Sequence, residues 1–164
     1  MTITIGNAAT DRSANVPIDY TRIDYINAAD GSGTLDTIEI YLQAAATDDI
    51  YIAIFEEVSA NTFTSRDVVN VGPLAIGYHE ITTDKASNPI SLAVETGDYI
   101  GIYCASGQIE LDVSGTGFYS LSGNWTSCED EGFSFIASRQ MSLSATGGAG
   151  GVVVGNVLFI FSDF

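Results

Sequence analysis

A two-residue alternation of apolar and polar side chains recurs along this chain and constrains its fold more than any other feature. Within residues 108–113 the two kinds of side chain fall on opposite faces, Ile109, Leu111 and Val113 against Gln108, Glu110 and Asp112. Residues 90–95 and 141–145 repeat the pattern. Side chains alternate between the two faces of a β-strand, so this pattern predicts strands that each cover a core on one side.

The spacing of these segments predicts the fold class. Roughly a dozen short strands, about ten residues apart, are separated by turn residues such as Asn88-Pro89 and Gly97-Asp98, as in all-β sandwiches. No long segment has the 3.6-residue period of a helix. We therefore expect an all-β fold, a two-sheet antiparallel β-sandwich that is jelly-roll-like.

Two strands carry more detailed expectations. Residues 50–55 are apolar on both faces, which predicts a central strand or one whose second face is covered by a loop or a neighbouring subunit. In the strand after the Gly97-Asp98 turn, Cys104 points inward, and Gly101 lets a neighbouring chain segment approach closely. A buried free thiol at Cys104 is favoured over a bridge to Cys128.

The composition changes abruptly near the carboxyl terminus. We divide the chain into a β-sandwich domain (residues 1–146), a glycine-rich hinge (147–151) and an apolar C-terminal strand (152–164). Such a strand must be covered, either by its own sandwich or by another subunit. The predicted assembly interface consists of Val152, Val153, Val154, Val157, Leu158, Phe159, Ile160 and Phe161.

The charge of the chain limits its partners. Twenty-one acidic side chains oppose five basic ones, which gives a formal net charge of −16. Binding to nucleic acid or anionic lipid depends on Lys and Arg, so neither a nucleic acid nor a membrane is expected as a direct partner. The apolar run of residues 152–161 is also well short of the ~20 residues that a spanning helix needs.

Catalytic chemistry is sparse. His79 is the only histidine, lies in a predicted strand and has no nucleophile motif beside it, so we expect no enzyme and assign no catalytic residue. No cofactor is expected either, with calcium as the one alternative, because hard cations need clustered oxygen ligands. The candidate ligands are Asp30, Glu129, Asp130 and Glu131, although turn chemistry and a solvated loop explain both segments as well.

An aromatic pair offers a second kind of site. Trp125 lies among turn residues, and with Tyr119 it is the candidate platform for stacking a sugar ring. A tryptophan folded back as a plug on the end of the sandwich fits the sequence equally well. A glycan is therefore a candidate ligand of these two residues.

Four segments together resemble an uncharacterised β-sandwich family common in phage and environmental sequences. They are IGNAATDR (5–12), GTLDTIEI (33–40), FTSRD (63–67) and VETGDYIGIY (94–103), and the resemblance extends from Ile5 to about Gly147. It implies a virion-associated or extracellular accessory module and assigns no catalytic residues.

These features predict a non-enzymatic structural or interaction protein that assembles into a particle or filament. The expected setting is the surface of a phage or virus, as a decoration or tail-associated component, with other protein subunits as partners in a homo-oligomer or a host particle. The first residues after Met1 show no secretory signal, so the chain is kept in a cell, has lost a signal, or leaves by lysis as part of an extracellular particle. The alternative is a carbohydrate-binding module, assisted by calcium.

Overall fold

The computed structural model describes residues 1–150, which form strands, turns and loops with no helix. The described part of the chain accordingly holds no helix that could cross a membrane. The strands are β1 (Thr2–Gly6), β2 (Ala14–Pro17), β3 (Tyr20–Asp24), β4 (Gly33–Ala44), β5 (Ala46–Ser59), β6 (Thr62–Leu74), β7 (Gly77–Ile81), β8 (Leu92–Val94), β9 (Tyr99–Tyr103), β10 (Gln108–Asp112), β11 (Gly117–Ser122), β12 (Glu131–Gly132), β13 (Ser134–Ala137), β14 (Gln140–Met141) and β15 (Leu143–Ala149).

The strands form two antiparallel sheets that confirm the predicted β-sandwich. The first sheet has the order β1-β15-β4-β10-β14, with β7 and β8 paired to β4 and β2 paired to β10. The second sheet has the order β12-β6-β5-β9-β3-β11-β13. All pairings between these strands are antiparallel.

The main core lies between the two sheets and consists of the inward members of the alternating strands. Residues 90–95 behave as predicted, since Ile90, Leu92 and Val94 are buried while the residues between them are exposed. Each fully buried side chain of this size contributes roughly 1.5–3 kcal/mol through its removal from water. The alternation in the sequence therefore locates the main source of the stability of the fold.

The second sheet curls on itself and encloses a separate aromatic core on its outer face. Strands β12 and β13 lie at opposite ends of the strand order, yet only Phe133 separates them along the chain, so the two ends of the sheet must approach each other. The second core consists of Ile23, Ala53, Phe55, Phe63, Tyr119 and Phe133, with Tyr25, Tyr99, Leu121, Trp125 and Cys128 packed against it. The expectation for residues 50–55 is confirmed, because β5 is central and its second face is partly covered.

Strand β10 departs from the expected alternation at two residues. Val113 was expected in the core, but β10 ends at Asp112 and Val113 is 61% exposed. Glu110 was expected on a solvated face, but it is buried because the segment between β1 and β2 covers that face. Strand β2, which pairs with β10 at the edge of the first sheet, was not predicted from the sequence.

The glycine-rich segment begins as strand rather than as a hinge. Gly147, Gly148 and Ala149 belong to β15 and pair with β4. The register shifts between Thr146 and Gly147, where a Cβ atom on Gly147 would collide with the Thr34 carbonyl oxygen. This glycine is required for a close backbone approach at an irregular point of the strand rather than for flexibility. Gly150 is the last described residue. Residue 151 of the predicted hinge and the predicted strand 152–164 lie outside the described residues.

The expected close approach at Gly101 is confirmed. A Cβ atom there would lie 2.7 Å from the Arg22 carbonyl oxygen in β3 and 2.7 Å from ring carbon Cε2 of Phe55 in β5. Gly101 therefore lets the Phe55 ring lie flat over β9 in the centre of the second sheet.

Gly101→Ala should lower the free energy of unfolding by about 2 kcal/mol, because both neighbours of the new methyl group are held in the middle of a sheet. Urea denaturation followed by far-UV circular dichroism measures the change. Gly132→Ala is the matched control, since nothing lies within 4 Å of a Cβ atom at that position. Equal stability of the two variants would show that the second sheet opens easily at β9.

Candidate functional site

The part of the outer face of the second sheet that the aromatic core leaves uncovered forms a trough. Its floor includes Tyr51 of β5 and Tyr103 of β9, which lie directly opposite each other in the antiparallel register. Both side chains line a cavity of about 400 Å³, and Tyr51 also lines a neighbouring cavity of about 240 Å³. Val68 connects that second cavity to a third one of about 510 Å³. We call these three adjoining cavities the outer trough.

The alternation of β5 and β9 explains why two tyrosines face the outer trough. Residues 51, 53 and 55 share the outer face of β5, as residues 99, 101 and 103 share that of β9. At one end of the sheet this row enters the aromatic core through Phe55 and Tyr99. At the other end Tyr51 and Tyr103 remain partly exposed.

Polar side chains on the walls of the outer trough are held in place by one another. Lys85 Nζ lies 2.8 Å from both carboxylate oxygens of Asp49, and the Asn70 amide donates to Asp49 at 2.9 Å. These bonds hold the pKa of Asp49 below its usual value. On the opposite wall, Asn124 Oδ1 accepts hydrogen bonds from the backbone N–H and the hydroxyl of Thr126, at 3.1 Å and 2.6 Å.

Neither residue predicted as a sugar platform lines the outer trough, because Tyr119 belongs to the aromatic core and Trp125 packs against it. Tyr119 is only 6% exposed, and its hydroxyl donates to Asn61 Oδ1 at 2.9 Å. Burial raises the pKa of this phenol. Trp125 is half-buried, and its indole N–H donates to the Ser122 carbonyl at 2.8 Å. Both residues therefore pack in or against the aromatic core. This position agrees with the alternative that the Trp125 indole folds back onto the end of the sandwich.

The four candidate metal ligands fall into separate places. Asp30 lies beside β1, where its carboxylate accepts hydrogen bonds from the backbone N–H and the hydroxyl of Thr4 at 2.7 Å and 2.9 Å. Asp130 lies near β6 and accepts from the Thr64 hydroxyl at 3.3 Å, with Glu129 and Glu131 beside it in the chain. Within residues 1–150 no three His, Cys, Asp or Glu side chains form a group suited to a metal ion.

A fourth cavity, of about 270 Å³, contains an ion-pair network centred on Arg66. The guanidinium binds Asp98 through two hydrogen bonds of 2.5 Å and 3.1 Å, and contacts Glu56 and Glu95 at 3.3 Å and 3.2 Å. Asp98 also accepts the backbone N–H of Glu95 at 2.8 Å. The bonds to Asp98 raise the pKa of Arg66. Arg66 thus fixes the turn that precedes β9, and we assign this network a structural role.

A buried polar cluster lies beneath the segment that joins β1 to β2. Arg12, with a side chain only 8% exposed, binds Asp112 at 2.6 Å and the Ser142 hydroxyl at 2.7 Å. Its backbone N–H donates to Glu110 at 3.2 Å. These contacts hold the segment over the first sheet and explain the burial of Glu110. Sequence analysis missed the cluster, because contacts between segments about 100 residues apart leave no local pattern.

Asp24 is the most perturbed acid of this region. Its side chain is 1% exposed, and burial raises its pKa from 3.8 to about 7 despite hydrogen bonds from the Asn7 amide and the Ile26 backbone and the nearby charge of Arg12. Oδ1 of Asp24 has no hydrogen-bond partner in the described part of the chain. Because its carboxylate is almost fully buried, we interpret Asp24 as a pH-sensitive structural group.

Asp24→Asn should remove a pH dependence of stability. The folded state holds the Asp24 proton more tightly than the unfolded state, so the wild-type protein gains stability as the pH falls from 8 to 5, by about 2–3 kcal/mol from this group. Urea denaturation at both pH values measures the gain, which the variant should lack. Asp36→Asn, which removes an exposed carboxylate of β4, is the matched control and should behave as wild type. An identical gain in Asp24→Asn would contradict the assignment.

The structure also shows where His79 and the two cysteines lie, for which the sequence led to expectations. His79 lies in β7, as expected for a strand residue, and its Nε2 lies 2.8 Å from the Ala75 carbonyl oxygen. Cys104 is buried in the main core, whereas Cys128 is half-buried against the aromatic core. Both thiols are free, and the inward orientation predicted for Cys104 is confirmed.

Comparisons of the chain with known protein families, with curated proteins and with solved structures find no match.

Proposed function

We propose that this chain is a non-enzymatic structural or interaction protein that assembles into a particle or filament through its apolar C-terminal segment, residues 152–161. The phage or virus surface, where it would serve as a decoration or tail-associated component, is proposed from the sequence resemblance alone. Its partners are other protein subunits, either further copies of this chain or proteins of the particle.

One observation carries the proposal. Every side chain that builds the two apolar cores of the described residues lies between Ile3 and Ala145. The eight large apolar side chains between Val152 and Phe161 follow in the sequence after the residues that form these two cores. Each of them gains roughly 1.5–3 kcal/mol when it is removed from water, which favours an interface as the place where they are covered.

The β1 edge of the first sheet is covered, which favours a separate segment as the assembly element. The outer edge of β1 is covered by the segment that follows β3, because the Gly6 N–H donates to the Asn27 carbonyl at 2.8 Å and the Asp30 N–H to the Thr4 carbonyl at 3.2 Å. The Asp30 carboxylate accepts the N–H of Thr4 as well. A covered edge does not pair readily with another sheet, so β1 is not available for edge-to-edge association.

Assembly is tested by disrupting the apolar segment in the full-length protein. Wild type should sediment as species larger than the 17.3 kDa monomer, and the double variant Leu158→Asp/Ile160→Asp should sediment as a folded monomer. Buried carboxylates without partners are costly, so two of them should abolish the interface. Analytical ultracentrifugation over about a hundredfold range of concentration measures the masses.

Ile76→Asp is the control, since it introduces a carboxylate at a 64% exposed isoleucine in the turn between β6 and β7. It should assemble as wild type does. A wild-type protein that stays monomeric at every concentration would refute the proposal. Loss of the fold in the double variant would do so too, because the segment would then belong to the core of its own chain.

A further inference from the structure

We propose that the outer trough is a binding site for a neutral oligosaccharide, with the rings of Tyr51 and Tyr103 as its stacking surfaces. This site goes beyond the proposed assembly function and uses none of the residues of the C-terminal segment. It also replaces Trp125 and Tyr119, which close the aromatic core, with two different aromatic residues.

The availability of the two rings is the first argument. The tyrosines of the aromatic core are occupied by the protein, since Tyr25 stacks on Tyr99 with ring centroids 4.5 Å apart and Tyr25 donates to Glu57 at 2.8 Å. Tyr51 and Tyr103 are partly exposed, and neither hydroxyl has a hydrogen-bond partner among residues 1–150. A tyrosine combines a broad apolar face with a polar tip, which suits the C–H face and the hydroxyl rim of a pyranose.

The polar groups of the walls match sugar hydroxyls, which both donate and accept hydrogen bonds. Asp48 and Asp49 line the end of the outer trough next to Tyr103 and supply carboxylate acceptors. Lys85 is bound to Asp49 at 2.8 Å, so it lies on the same side and contributes an ion pair rather than a free donor. On the remaining wall the side-chain oxygen of Asn124 accepts a hydrogen bond from Thr126, so the amide hydrogens of Asn124 are left for a ligand. Ser127 adds a hydroxyl on the same wall.

The shape favours a chain of sugars over a single one. Tyr51 and Val68 each line two of the three adjoining cavities, so the cavities form a continuous path across β9, β5 and β6. Their volumes, of about 240, 400 and 510 Å³, are close to the roughly 300–1,000 Å³ of typical ligand sites. The floor rests on central strands whose inner side chains, such as Ile52 and Ile102, are fully buried. A ligand therefore meets a preformed surface and loses little affinity to reordering of the protein.

The charge of the walls selects against anionic sugars. Asp48, Asp49 and Asp84 outnumber Lys85, and the whole chain carries a net charge of −16. A uronic or sulfated glycan would be repelled. The apolar contribution, from Val68, Val69 and two alanines, is too small for an apolar peptide, whereas a basic peptide remains as the rival occupant.

The experiment is isothermal titration of the full-length protein with the hexasaccharides of cellulose, xylan, laminarin, mannan, amylose and chitin. Polygalacturonate serves as the anionic probe and oligolysine as the basic one. At least one neutral hexasaccharide should bind, and polygalacturonate should not. Binding of oligolysine alone, or of no saccharide, would overturn the proposal.

Variants locate the site. Tyr51→Ala and Tyr103→Ala should each weaken saccharide binding by about tenfold or more, whereas Tyr51→Phe, which keeps the ring, should stay within about threefold of wild type. Tyr78→Ala is the matched control, because Tyr78 is 48% exposed on β7 of the other sheet. Wild-type affinity in both Tyr51→Ala and Tyr103→Ala, or a loss in Tyr78→Ala, would overturn the assignment.

Two measurements keep the result independent of folding and of assembly. Thermal denaturation should show that Tyr51→Phe and Tyr103→Ala are folded, so that a lost affinity in Tyr103→Ala reports the site. Sedimentation of the tyrosine variants should match wild type, because these substitutions leave the sequence of the C-terminal segment unchanged. The saccharide proposal can thus fail while the assembly proposal holds, and the assembly proposal can fail while saccharide binding is observed.

Discussion

The curl of the second sheet is the constraint on which the other features depend. Only a strongly curved sheet brings β12 and β13 to either side of Phe133, and that closure gives the domain a second core outside the sandwich. Gly101 permits the curvature, because the Phe55 ring and the β3 backbone occupy the space of a side chain. The closure is incomplete, and the part of the concave face that it leaves uncovered is the outer trough. One geometric feature thus produces both the aromatic core and the candidate site.

The sequence predicted the apolar core between the two sheets. The prediction was wrong where another chain segment covers the outer face of a strand. Alternation located Ile90, Leu92 and Val94 correctly, since a two-residue period follows directly from strand geometry. It misassigned Glu110, whose burial depends on Arg12 arriving from a distant segment. It also predicted a hinge at Gly147, because composition cannot distinguish a glycine that is needed for flexibility from one that is needed for close backbone contact.

The candidate site was less predictable than the fold for the same reason. The sequence showed that residues 50–55 have two apolar faces, and that observation pointed to a covered outer surface. It did not show that the covering segment stops short of Tyr51 and Tyr103, because the walls come from residues 47–49, 84–86 and 124–127. Trp125 was predicted as a stacking residue because turn residues flank it in the sequence. In the structure its indole packs against the aromatic core.

The placement of the basic residues explains why the surface is more acidic than the composition alone suggests. Arg12, Arg66 and Lys85 are each bound to carboxylates of the same chain, and Arg22 is buried between the rings of Tyr20 and Phe118. Burial lowers the pKa of Arg22, although the charge of Asp19 opposes this shift. Four of the five basic side chains therefore stabilise the fold rather than face a partner. A molecule that approaches this surface meets carboxylates, hydroxyls and aromatic rings, and the carboxylates disfavour the approach of polyanions.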